Sequence, residues 1–146
     1  MRRFSFPLGR VMDWRGAQAR IEEVKLENLY AELRANDAKI AALLEERARA
    51  DQAVLAASVV TGSDLGTLAA FRRFSVAEHT RLDRLRADCS QRVAAQLQVV
   101  AIKRRDVRLL ERLKQQRFSA WSADFNREID KQAEESHLAQ WNAQRR

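Results

Sequence analysis

The sequence predicts an all-α fold, a long two-helix antiparallel coiled-coil hairpin with a C-terminal helix overhang. Gly and Pro are absent from residues 17–61 and 67–146. In a helix Gly costs about 1 kcal/mol and Pro about 3 kcal/mol, so both stretches can stay helical. Apolar residues recur along both at steps of three and four, as one buried helix face requires. The predicted elements form one domain over 1–146, with helix one at about 8–60, a joint at 61–67 and helix two at about 68–142.

The composition is that of a long coiled coil and not of a globular core. Hydrophobic residues make up 46% of the chain but aromatic residues only 7%, so few side chains bury a large area. The net charge is +7, which favours an acidic partner or leaves a solvated, charged helix face. Cys89 cannot form an intramolecular disulfide, which favours a reducing compartment. No run of about 18 apolar residues is present, and no signal peptide is recognisable, so we expect a cytoplasmic chain without direct membrane insertion.

Residues 1–8 are expected to form a short extended arm, and helix one follows it. Asn36 and Arg47 fall on the apolar stripe of helix one and are expected to fix its register. Leu26 and Leu29 shift the phase of that stripe, which predicts a local stutter. The predicted stripe consists of Val11, Trp14, Ile21, Val24, Leu29, Leu33, Ile40, Leu43, Leu44, Val54 and Ala57.

The joint is expected to reverse the chain once. Gly62 is the natural residue to end helix one, and Thr67 can cap helix two. Residues whose numbers sum to about 129 should then face each other, the register error being several residues, so Ile40 would lie near Cys89. Helix two would outrun helix one, leaving residues from Asp130 onward unpaired. Its predicted stripe consists of Leu68, Phe71, Leu82, Leu85, Cys89, Val93, Leu97, Val100, Val107, Leu110, Leu113, Phe118, Trp121, Phe125 and Ile129.

Catalytic and metal-binding patterns are missing from the sequence. Two paired helices build no deep pocket. The spacing Gly62-x-x-x-Gly66 lacks the Lys-Ser/Thr of a phosphate-binding loop. His79 and His137 are far apart and have no Cys or His three or four residues away. We therefore expect no catalytic residues, no cofactor and no metal, and a protein that is not an enzyme.

The first feature that could bind a partner is a basic segment. Seven Lys or Arg residues lie between Lys103 and Arg117, against two acids. Arg104, Arg108 and Arg112 step by four and form one ridge. This ridge could contact an acidic protein surface or nucleic acid. Alternatively it is a solvated face that pairs across the hairpin with Glu22, Glu23 and Glu27.

Two further features are aromatic. Phe71 and Phe74 lie three residues apart near the joint, so one should pack inward while the other is an exposed anchor for a partner. A simple local cap over the joint is the alternative. The overhang carries Trp141 and the terminal Arg145-Arg146, where a partner or ordinary fraying is expected.

The start of the chain carries a recognisable pattern. Residues Arg3–Arg15 read Arg-Phe-x-Phe-x-Leu-x-x-Val-x-Asp-x-Arg, which resembles the start of FliJ-family proteins, soluble components of the flagellar type III export apparatus. The run Phe71-Arg72-Arg73-Phe74 and the tail pattern Leu110-Glu111-Arg112-Leu113 also resemble that family. The tail departs from it at residues 135–139, where the usual acidic and aliphatic end is altered.

The resemblance implies a stalk and adaptor for flagellum biogenesis and motility. Proteins of this family insert a hairpin into the hexameric export ATPase ring and touch the cytoplasmic domain of the membrane export gate. Export chaperones are a further class of partner, and the location is cytoplasmic, peripheral to the inner-membrane export apparatus. The implied ring contacts are Arg15, Arg104, Arg105, Arg108 and Arg112, and the implied gate contacts are Phe71 and Phe74.

Other functions stay open at this point. Virulence-type secretion systems contain similar stalk proteins. A basic coiled-coil module that binds nucleic acid would explain the net charge, although no basic region precedes a parallel zipper and nucleic acid is disfavoured as a partner. A homodimeric scaffold would bury Phe71, Phe74 or Trp141 against a second copy.

Overall fold

Two long helices make up the structure, a computed structural model that describes residues 3–144. They are α1, Gly9–Ala56, and α2, Gly62–Gln144, and no strand occurs within residues 3–144. The helices pack against each other in antiparallel fashion, which confirms the predicted hairpin. Arg145 and Arg146, which were assigned to the overhang, lie outside the described residues.

The joint lies earlier in the chain than the sequence predicted. Helix α1 ends at Ala56 and not near residue 60, and α2 begins at Gly62 and not near residue 68. The predicted joint at 61–67 is therefore wrong, and the connection occupies residues 57–61. Gly62 does not end α1, and Gly66 lies inside α2. Neither glycine has a positive φ, so both are compatible with helical backbone.

A reciprocal cap at Thr61 and Asp64 explains where α2 begins. Thr61 donates to Asp64 Oδ2 through its backbone N at 2.8 Å and through Oγ1 at 2.7 Å. The backbone N of Asp64 donates in return to Thr61 Oγ1 at 3.2 Å. This is a capping box with Asp in the third helical position, and it satisfies two amides at the helix start. Thr67, expected to be the cap, instead donates from Oγ1 to the Ser63 carbonyl at 3.0 Å within the helix.

The chain divides into two compact units, each of which pairs a part of α1 with a part of α2. The loop unit comprises Arg20–Ala101 and contains the joint. The terminal unit comprises Met1–Ala19 together with Ile102–Arg146.

Polar contacts fix the register of the loop unit. Side chains of α2 reach side chains of α1, and the numbers of the paired residues sum to about 120, not about 129. The shift follows from the earlier joint. Cys89 accordingly lies beside Leu29, with Sγ 3.4 Å from the Leu29 carbonyl oxygen, and the predicted neighbour Ile40 is wrong. The contacts are Asp51–Arg72, Asp37–Arg86, Glu32–Arg92 and Glu22–Gln96.

The seam of α1 in the loop unit differs from the predicted stripe. Ile21, Val24 and Leu44 are exposed. The side chains that turn inward step regularly by three and four, so the predicted stutter is absent. They are Glu22, Leu26, Leu29, Leu33, Asn36, Ile40 and Leu43. Glu22 occupies a seam position although it is charged. A pattern of apolar residues alone therefore passes over Glu22 and selects the neighbouring face of α1, which carries Ile21 and Val24.

Of the two polar residues predicted to lie on the helix-one stripe, one is buried and the other is exposed. Asn36 is buried, which confirms its position in the seam. Arg47 is exposed, so its predicted seam position is wrong. On α2 the side chain of Ser75 is buried, and its Oγ has no hydrogen-bond partner.

The α2 face of the loop unit supplies most of its core. Leu82, Cys89, Val93 and Val100 are buried, as predicted for the stripe of helix two. Leu85 and Leu97 are exposed, because they flank the seam and do not lie in it. The prediction that Cys89 is a core residue is confirmed.

Aromatic side chains pack together in the terminal unit. The extended arm places the Phe4 ring 5.2 Å from Phe118, edge to face, and 5.8 Å from Trp121. Trp121 stacks on Phe125 at 5.1 Å. Such pairs are worth about 0.5–1.5 kcal/mol beyond the area that they bury. The arm therefore anchors the start of the chain on α2.

In the rest of the terminal unit, the start of the predicted helix-one stripe is wrong, whereas the exposure of the end of α2 agrees with the predicted overhang. Val11 and Trp14 are exposed, and the inward positions of α1 are held by Met12, Arg15 and Ala19. Helix α2 continues beyond the aromatic cluster, and every side chain from 126 to 141 is exposed.

Candidate partner-binding surfaces

The basic segment, Lys103–Arg117 of α2, presents its arginines to solvent. Arg104, Arg105, Arg108 and Arg112 are all exposed. Arg105, Arg108 and Arg112 are spaced by three and four, so their guanidinium groups lie along one side of the helix. A row of planar, permanently charged donors can bind carboxylates or phosphates in bidentate geometry.

Arg15 contacts two neighbouring side chains in the terminal unit. Its Nη1 lies 3.3 Å from Asp106 Oδ2, and its guanidinium carbon lies 5.4 Å from the centre of the Trp14 ring. The Asp106 contact brings Arg15 beside the basic segment, so the structure places all five predicted arginines in the terminal unit. Its seam position and paired charge make Arg15 a hairpin contact in this structure.

Phe71 and Phe74 lie in the loop unit, a few turns after the joint. Phe71 is half-buried, while Phe74 is 58% exposed. Their ring centres are 6.5 Å apart. The prediction that one ring packs inward and the other is exposed is therefore confirmed.

An apolar groove beside Phe71 is a feature that the sequence reasoning missed. It is open to solvent, has a volume of about 540 Å³, and lies between the end of α1 and the start of α2. The spacing of small residues at Ala50, Ala53 and Ala57 could have indicated it, because alanines on one face leave room between paired helices. The lining residues are Ala50, Ala53, Val54, Ala57, Val60, Asp64, Thr67, Leu68 and Phe71.

The tail segment, Asp124–Trp141, has a charge opposite to that of the basic segment. It contains five acidic residues against two basic ones. Its exposed apolar side chains include Ile129 and Leu138. Along α2 the basic segment therefore comes first and the acidic tail segment follows it.

His79 and Cys89, two titratable groups of α2, make structural contacts. No group of three or more His, Cys, Asp or Glu side chains that could hold a metal ion occurs within residues 3–144. His79 Nδ1 lies 2.9 Å from Asp83 Oδ2. Burial raises the pKa of the Cys89 thiol, with the nearby Glu32 carboxylate adding to the effect. A protonated, buried thiol is a poor nucleophile.

Neither α1 nor α2, over the part of the chain that is described, contains a stretch apolar and long enough to cross a membrane. No protein-family model matches this sequence, and no curated protein or solved structure is significantly similar to it.

Proposed function

We propose that this chain is a non-enzymatic stalk and adaptor of a type III protein export apparatus of the flagellar kind. The single observation that carries the proposal is the N-terminal pattern Arg3–Arg15 on a two-helix hairpin. In the structure Phe4 of that pattern packs on Phe118 and Trp121. The pattern therefore has a physical role in the hairpin, since it anchors the arm beside the basic segment.

The basic segment is the proposed contact with the export ATPase ring. Arg104, Arg105, Arg108 and Arg112 are exposed on α2, and a helix that enters a ring needs a polar, charged surface more than a pocket. Arg15 is the fifth proposed contact, and its bond to Asp106 must loosen if it is to reach a partner. Binding through the other four would be steered by charge and weakened by salt.

The loop unit is the proposed contact with the export gate. Phe74 is an exposed aromatic residue that directly follows Arg72 and Arg73, and this combination of residue types is common at binding hot spots. Phe71 contributes from its half-buried position beside the groove. Export chaperones are a further proposed class of partner. The location that follows is cytoplasmic, peripheral to the inner-membrane apparatus.

Binding to the purified hexameric export ATPase tests the proposal. Pull-down and ATP hydrolysis should both respond to the native chain. The double variant Arg108→Glu with Arg112→Glu should lose binding, because two exposed contacts reverse their charge. Arg34→Glu is a control for reversal of an exposed arginine in the loop unit and should bind normally. Absence of binding by the native chain, with no change in hydrolysis or ring assembly, would count against the stalk.

Nucleic-acid binding is the second candidate, and the exposed arginines of the basic segment favour it. Such binding would ignore sequence and fall steeply with salt, because each phosphate contact releases counterions. Fluorescence anisotropy with unrelated duplexes at low and high salt tests it. Tight binding to every duplex, together with no effect on the ATPase, would favour this candidate over the stalk.

A further inference from the structure

We propose that the C-terminal part of α2 is a self-association surface, on which a second copy of this chain docks in antiparallel orientation. The surface, called here the outer stripe, is defined by Ile102, Arg105, Arg112, Asp130, Glu134 and Leu138. All six side chains are exposed, and all belong to the terminal unit.

Helical periodicity places three pairs of these residues in matching positions. Ile102 and Leu138 are separated by about ten turns of helix, and Arg112 and Asp130 by about five turns. Arg105 and Glu134 are about eight turns apart. Because each separation is close to a whole number of turns, the two members of a pair point to the same side of α2.

The three pairs also share one midpoint. Each is centred within about one residue of Ala120, given the 3.6-residue period of the helix. Two copies related by a two-fold axis at Ala120 would therefore bring each member opposite its counterpart in the other copy. The small side chains of Ala120 and Ala123 at the centre allow close approach of the two helices.

Charge complementarity selects the second copy as the occupant and fixes its direction. In the antiparallel arrangement Arg105 meets Glu134 and Arg112 meets Asp130, and the two-fold axis makes each contact twice. Ile102 and Leu138, which are 53% and 60% exposed, would cover each other. A parallel arrangement would instead set Arg112 against Arg112 and Asp130 against Asp130, which is repulsive.

The dimer is expected to be weak and reversible. The stripe has few apolar side chains, and exposed ion pairs contribute little each. Arg105 and Arg112 are also proposed ring contacts, so self-association and ring binding would compete. The self-association itself does not depend on the proposed function, because it is tested with the purified chain alone.

Sedimentation equilibrium over a range of concentrations is the first test. At ~0.05 M salt the mass should rise from monomer to dimer, and at ~0.5 M salt the apparent Kd should increase about tenfold, because ions screen exposed pairs. A monomer mass at every concentration in low salt overturns the proposal. An equally stable dimer at both salt concentrations also overturns it.

Charge exchange within one chain is the sharper test. Arg112→Glu alone and Asp130→Arg alone should each weaken the dimer, because each sets like charges face to face in both copies of the contact. The double variant, which carries both changes, should restore the native Kd. The matched control Arg34→Glu makes the same charge change in the loop unit and should leave the Kd unchanged.

A second charge exchange keeps the test decisive if either variant fails to fold. Arg105→Glu and Glu134→Arg should weaken the dimer singly and restore it together. Loss of association in the double variants, whose net charge is native, would show that this pairing does not hold the dimer. An equal effect of Arg34→Glu would show that net charge and not this pairing is responsible.

Cysteine cross-linking checks the orientation. Arg112→Cys and Asp130→Cys proteins should form a disulfide when mixed, and neither should cross-link to itself. The native Cys89 is buried and is replaced by Ala in this experiment. Self-cross-linking of Arg112→Cys alone would indicate a parallel pair and overturn the antiparallel arrangement.

Discussion

Gln96 of α2 donates from Nε2 to two oxygens of Glu22 on α1. The distances are 2.7 Å to Oε2 and 3.0 Å to the main-chain carbonyl oxygen. The Glu22 side chain is only 15% exposed, so this amide–carboxylate contact lies within the seam of the loop unit.

Gln96→Leu should destabilise the hairpin. It removes one partner of a mostly buried carboxylate, which costs about 1–3 kcal/mol. Replacing both Glu22 and Gln96 by Leu should recover most of that loss, because two apolar side chains can pack where the polar pair was. Urea denaturation followed by circular dichroism measures both. A double variant less stable than Gln96→Leu would contradict this. It would mean that Glu22 and Gln96 stabilise the hairpin through contacts other than the one between them.

The register can be tested with the native thiol. Leu29→Cys should form a disulfide with Cys89 under mild oxidation, since Cys89 Sγ is 3.4 Å from the Leu29 carbonyl oxygen. Ile40→Cys should not, because it lies about three turns further along α1. Electrophoresis without reductant distinguishes the two variants. A cross-link in Ile40→Cys alone would support the register first expected from the sequence.

The capping box at the start of α2 should respond to substitution. Thr61→Ala removes the cap and should lower stability by about 1 kcal/mol. Thr61→Ser keeps a hydroxyl and should stay close to the native stability. Thermal unfolding followed at neutral pH compares the three proteins, and equal melting temperatures would show that the cap is not needed.

The same cap makes part of the stability depend on pH. Hydrogen bonds from the Thr61 hydroxyl, and then from its backbone amide, lower the pKa of Asp64 below its ordinary value. Because the folded pKa is depressed, the stabilisation is present above the ordinary pKa and is lost as pH falls through the lowered value. Thr61→Ala should therefore lose less stability than the native chain on acidification through that range. A parallel loss in both proteins would contradict this.

The aromatic anchor of the arm gives a further prediction. Phe4→Ala should destabilise the terminal unit by about 1–2 kcal/mol, since the ring is half-buried and packs on Phe118 and Trp121. Phe74→Ala is the control. It makes the same substitution at a ring that is mostly exposed, so it should change stability little. Denaturant unfolding measures both variants, and near-ultraviolet circular dichroism should change for Phe4→Ala.

The overall fold could be predicted because long stretches without Gly or Pro and a three-four apolar pattern are local properties. The joint could not, since Gly62 and Gly66 suggest a break, while the Thr61–Asp64 cap allows helix through both. The position of the joint then determined the error in register.

The seam was mistaken where polar residues occupy core positions. Arg15 and Glu22 are held there by partners on α2, Asp106 and Gln96. Single residues give no sign of such pairing, because it depends on the register of the other helix. That one of Phe71 and Phe74 packs inward and the other is exposed could be predicted from the sequence, whereas the neighbouring groove required both helices.

Between 126 and 141 every side chain of α2 faces solvent, and a short isolated helix in water is only marginally stable. Its backbone amides should therefore exchange hydrogen for deuterium fastest near Trp141 and more slowly toward Phe125, as opening proceeds inward from the end. Any molecule that settles on this stretch would slow the exchange from the point of contact, so the rate profile would map the footprint of a ligand before its identity is known.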